Sequence, residues 1–154
     1  MWEAFQRFRA LDSEAQRVFG RAVILLPWVM LSLRLRGFRK TQAHLQEKLS
    51  RVSREPENVP GSVVQTTCRM VKAAGRHGLA RPNCLEESLV LWYFLQRENV
   101  PAALRIGVRK SGDEFEAHAW VAYQGTVLNQ GDEWTHPHYA AFESEFSELP
   151  GKYP

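Results

Sequence analysis

Asn83-Cys84-Leu85-Glu86-Glu87-Ser88-Leu89-Val90-Leu91-Trp92-Tyr93-Phe94-Leu95 decides how the rest of the chain is arranged. Asn83, after the turn that ends at Pro82, has the form of a helix cap, and Glu86 three residues on completes an Asn-x-x-Glu capping box. The run to Leu95 is apolar nearly all round, and a helix of that kind is central, packed on more than one side. It begins with a thiol. Cys84 takes the first helical position, where unpaired backbone N–H groups and the positive end of the dipole favour a thiolate and can stabilise an oxyanion. Glu86 and Glu87 oppose the thiolate by like-charge repulsion, so a histidine partner is needed.

The residues downstream read as β-structure. Leu104, Ile106 and Val108 alternate with Arg105, Gly107 and Arg109, which predicts a strand with one apolar face. After a turn within Lys110 to Glu114, a second strand alternates Phe115, Ala117, Ala119, Val121 and Tyr123 with Glu116, His118, Trp120 and Ala122. Gln124-Gly125 then turns the chain into Thr126 to Asn129. The sheet is expected to be antiparallel and packed on the Cys84 helix. His118 falls on the polar side of its strand, and Trp120 and Ala122 beside it can also form a second packed surface. A Cys–His pair is a nucleophile and its base, and the imidazole has to be oriented by a third polar group. A two-residue turn at Gln124-Gly125 places Asn129 on the histidine's face. A three-residue turn with a glycine bulge sets His118 opposite Gln130, with Asp132 one step along. One residue of register separates these alternatives.

Upstream the pattern is helical. Ser13 and Gln16 have the form of a capping box ahead of Val18, Phe19, Ala22, Val23, Leu25 and Leu26, and Pro27 is expected to kink or restart that helix. Thr41 to Leu49 predicts a short helix, and Ser53 to Gly61 predicts a loop. Val64, Cys68, Val71 and Ala74 or Gly75 recur at helical spacing, so Cys68 reads as a small buried apolar residue rather than a reactive one. The expected fold is α+β: one domain over residues 1–154, with a helical N-terminal region at 1–52 and a catalytic core at 62–154.

Composition narrows the function. A chain of 154 residues with 44% hydrophobic content supports one ordinary core. Its 20 basic and 17 acidic residues nearly cancel, which argues against nucleic-acid binding. Two cysteines without a cleavable signal pattern point to a reducing cytoplasm. The apolar stretch from Ala22 to Leu33 is too short to cross a bilayer, so no stable membrane insertion is expected. His136-Pro137-His138, with His118 and Cys84, matches no structural zinc spacing, and neither a metal nor another cofactor is expected.

The run from Asn83 to Trp92, Leu104-Arg105-Ile106-Gly107-Val108-Arg109, Ala117-His118-Ala119-Trp120-Val121 and Val127-Leu128-Asn129 together resemble the B-protein leader peptidases of lasso-peptide biosynthesis. Those enzymes belong to the transglutaminase-like cysteine-protease superfamily. The likeness covers most of Gly61 to Phe142, and Pro27 to Gln42 resembles the N-terminal helical part of the stand-alone form. The resemblance implies Cys84 as nucleophile and His118 as general base and acid. In the family an acidic residue directly follows the Leu-Asn pair. Gln130 stands there instead, which leaves Asp132 as the favoured third member beside Asn129 and Gln130. The implied substrate is a ribosomally made precursor whose leader is removed before an ATP-dependent cyclase closes a macrolactam. A small leader-recognition protein is the implied partner, with the Arg-flanked Ala22 to Lys40 segment as a possible contact surface. A non-catalytic peptide-binding module and an acyl transferase on the same Cys–His site are the competing readings.

Overall fold

The apolar run after Asn83 becomes the middle of the molecule. In the computed structural model, which describes residues 12–51, 59–111, 114–129 and 140–141, the helices are α1 (Ser13–Arg36), α2 (Phe38–Ser50), α3 (Gly61–His77) and α4 (Cys84–Arg97). The strands are β1 (Ala103–Ser111), β2 (Glu114–Tyr123), β3 (Thr126–Val127) and β4 (Ala140–Ala141). Every residue of α4 from Ser88 to Leu95 is buried. That pattern follows from a helix apolar on all sides: α1, α2 and α3 pack against it, and β1 and β2 cover the remainder.

The sheet has the order β3-β2-β1-β4, with each neighbouring pair antiparallel. Leu104 of β1 lies opposite Val121 of β2, and both are fully buried in the core that α4 fills. The expected α+β architecture is therefore the one observed, with the short strand β4 added at the β1 edge through Gly107 and Val108.

Two details of α1 differ from expectation. Its N-cap is Asp12, whose Oδ1 accepts from the Ala15 N–H at 2.7 Å, so the cap sits one residue before the predicted Ser13. Both residue types cap well, and the carboxylate also suits the positive helix end. Nor does Pro27 restart the helix, which runs unbroken to Arg36. Proline removes one backbone hydrogen bond. The buried Ala22, Leu26 and Val29 hold both halves of α1 on the same core. By length and composition alone this 24-residue helix could cross a membrane, unlike the shorter Ala22 to Leu33 stretch. The predicted loop at Ser53 to Gly61 lies mostly outside the described residues, and α3 begins at Gly61.

Candidate active site

Cys84 is the first residue of α4, as the cap signals require. Asn83 is extended, and its Oδ1 accepts from the Leu85 and Glu86 N–H groups at 3.0 Å each. Glu86 Oε2 accepts from the Asn83 N–H at 2.7 Å, and the Asn83 carbonyl accepts from the Glu87 N–H at 3.0 Å. The capping box is complete. It also narrows what the helix start can offer a substrate, because the Leu85 and Glu86 donors are committed to the cap. The Cys84 N–H is the helix-start donor outside it.

The two acidic residues of this first turn behave differently. Glu86 is buried and serves the cap. Burial pushes the Glu87 carboxyl up, against the opposite pull of Lys72 and Arg76. Glu87 thus ionises less readily than a solvated carboxylate, which moderates its repulsion of a neighbouring thiolate.

Ser88 joins the helix that begins at Cys84 to the strand that carries His118. It lies one turn beyond Cys84 on the same helix face, is 0% exposed, and its hydroxyl donates to the Ala119 carbonyl at 3.0 Å. Further along, Gln96 Nε2 donates to the Ala102 carbonyl at 2.9 Å, at the end of the sheet where β1 begins. α4 and β2 therefore run in the same direction. Four residues back from Ser88 is about 6 Å of helix, which corresponds to roughly two strand residues at about 3.3 Å each. By this spacing Cys84 lies toward the Ala117–His118 portion of β2, in the middle of that strand.

His118 is half-buried and sits opposite Gly107, so no side chain of β1 crowds the imidazole from directly across. Its ring stacks on Trp120, with centroids 6.1 Å apart and planes at 16°. Trp120 is only 8% exposed. The histidine's face is therefore packed at Trp120 and exposed at Glu116, while Ala119 and Val121 face the opposite way into the protein interior. Past the end of β3, the outer edge of β2 is met by side chains in place of a strand.

The hairpin settles which register is used. Ala122 pairs with Val127 and Tyr123 with Thr126. Gln124 and Gly125 both take positive φ, 49° and 76°, the signature of a two-residue type I′ turn. Asn129 lies beyond the last residue of β3. Its Oδ1 accepts from the Val121 N–H at 2.8 Å and its Nδ2 donates to the Ser88 hydroxyl at 2.7 Å, so both ends of the amide are engaged. The ladder ends where this side chain replaces the strand: Leu128 still donates to the Val121 carbonyl, but the Val121 N–H turns to Asn129. The bulged three-residue turn is absent. Asp132 and Gln130 themselves lie outside the described residues, as do His136 and His138.

Cys68 behaves as a packed residue. Burial pushes its thiol up to about 11, and it lies against the core on α3. Among the described residues both cysteines are free, and no group of three or more His, Cys, Asp or Glu side chains is arranged to hold a metal ion. A capped helix opening with a cysteine is thus bonded laterally to the strand that carries a histidine.

A family model described as the transglutaminase-like superfamily matches residues 22–144. The chain belongs to the transglutaminase-like superfamily. The matched span starts inside α1 and runs through β4, so Cys84, His118 and Asn129 all fall within it. No curated protein and no solved structure matches the chain significantly. For this transglutaminase-like chain, sequence reasoning missed Ser88. Its one signal was a hydroxyl inside an otherwise apolar helical run, four residues after the cysteine.

Proposed function

We propose that this transglutaminase-like protein is a cysteine peptidase that removes the leader from a ribosomally made lasso-peptide precursor. The observation that carries the reading is the Ser88 to Ala119 bond, which holds the helix turn bearing Cys84 against the strand bearing His118. His118 takes the thiol proton, Cys84 Sγ attacks the carbonyl carbon of the scissile peptide, and the Cys84 N–H donates to the resulting oxyanion. His118 then gives its proton to the leaving amine. Water, deprotonated by the same imidazole, resolves the thioester and restores the thiol. Asp132 is the proposed third member on the family likeness alone, because the bulged register that would set it one step along from the imidazole is absent.

The sequence likeness to stand-alone leader peptidases supplies the substrate. It also supplies the partners: a small leader-recognition protein delivers the precursor in the cytoplasm, and an ATP-dependent cyclase receives the product.

The test is incubation of precursor peptide with the protein and the recognition partner, followed by product masses. A cut at the leader–core junction is expected, lost with Cys84→Ala and reduced by about 10²–10⁴ with His118→Ala. An amide product in place of the cut would assign acyl transfer. If neither a cut nor a Cys84 acyl adduct forms, the protein is a peptide-binding module.

A further inference from the structure

A groove of about 370 Å³ lies between α1, α2 and the C-terminal half of α4, lined by Arg21, Ile24, Leu25, Trp28, Lys48, Tyr93, Phe94 and Arg97. We propose that it binds an acidic peptide segment, an aliphatic or aromatic side chain entering the apolar floor while carboxylates meet the three cations. The floor is apolar and aromatic, and Ile24 at its rim is 76% exposed. An isolated exposed isoleucine needs no explanation. Here Ile24 begins a stripe that continues at one helix face through Trp28, Leu31 and Leu35, the last 74% exposed.

The charges specify the ligand's sign. Among the described residues none of Arg21, Lys48 or Arg97 is paired with a carboxylate, although Lys48 Nζ stands 5.8 Å from the Trp28 ring centroid. Arg97 Nε is buried and has no hydrogen-bond partner among the described residues. A buried guanidinium N–H left unmet is costly, and an acceptor brought into the groove relieves it. The shape selects a peptide over a membrane. Lys48 of α2 and Tyr93, Phe94 and Arg97 of α4 wall the site, and a side chain can enter such a concavity where a flat bilayer surface cannot.

Arg97 is thirteen residues beyond Cys84 on α4, about 20 Å along the helix axis. Binding at the groove is therefore separable from the chemistry proposed at the thiol, and does not rest on it.

Two fluorescein-labelled 14-residue probes of identical leucine pattern, one carrying glutamates and the other lysines, test the proposal by anisotropy with the Cys84→Ala protein. The glutamate probe is expected to bind saturably, at least about tenfold tighter than the lysine probe, and to weaken as salt rises. Arg21→Glu with Lys48→Glu, both at exposed positions, should lower its affinity about tenfold or more. Ile24→Asp alone should lower it about fivefold. Equal binding of the two probes, or unchanged affinity in the charge-reversed variant, overturns the assignment. Phosphatidylglycerol vesicles that bind while the glutamate probe does not would reassign the groove to a lipid surface. Failure of the unsubstituted protein to cleave the precursor, with these binding results intact, would overturn the peptidase reading alone.

Discussion

Ser88 on α4 and Asn129 after β3, 41 residues apart, share a 2.7 Å hydrogen bond that ties the helix beginning at Cys84 to the chain leaving the strand of His118. Ser88 passes the connection to the Ala119 carbonyl, and Asn129 passes it to the Val121 N–H. Replacing Ser88 by alanine strands the Asn129 amide and the Ala119 carbonyl together. A loss of about 1–3 kcal/mol of stability in urea unfolding is expected. The double variant Ser88→Ala/Asn129→Leu should lose less than the sum of the singles, because the two residues act as one network. Additive losses would show that the bond contributes nothing shared.

Asn83→Ala removes the acceptor for two helix-start N–H groups, while the backbone N–H that Glu86 accepts from remains. It should cost about 1–2 kcal/mol in urea unfolding, since the first turn of α4 frays. Asn83→Asp, which retains the acceptor, should restore stability. Unchanged stability of the alanine variant would mean that packing alone fixes the helix start.

The two thiols should separate in a labelling experiment. With its thiol raised to about 11, Cys68 is ionised in only about one molecule in 3,000 at pH 7.5. Iodoacetamide followed by peptide mapping should place the label at Cys84 and leave Cys68 unmodified until the protein is denatured. Labelling of both cysteines at equal rates in the native protein would contradict the burial of Cys68.

Glu87 supplies a pH test. Its folded-state carboxyl is raised by burial, so its contribution to stability is fully present below the ordinary carboxylate pKa and is lost as pH rises through the raised value. Glu87→Gln should therefore unfold at a higher denaturant concentration than the parent at pH 7.5, and the gain should vanish near pH 4. A gain that is equal at both pH values would locate the effect in packing rather than ionisation.

Much of this site is written in short stretches of chain. The capping box of Asn83 and Glu86, the all-round apolar run behind Cys84 and the alternation around His118 each involve residues a few positions apart. Periodicity and capping therefore predict them before any tertiary contact is considered. The same reasoning put Cys68 on a buried stripe and set the two-residue turn at Gln124-Gly125 among its alternatives. It erred by one residue at the start of α1, where Asp12 and Ser13 are both good caps. It also expected Pro27 to interrupt a helix that tertiary packing carries through.

The amino-acid sequence by itself determined the α+β architecture, the thiol at the helix start and the strand that bears the imidazole. Tertiary structure alone decided that Asn129 would bind Ser88 and Val121, and that Ser88 would join helix to sheet. The reason is physical: a cap or an amphipathic period is satisfied within one or two turns of chain, whereas a buried hydroxyl or amide takes the partner that packing brings beside it from 31 or 41 residues away.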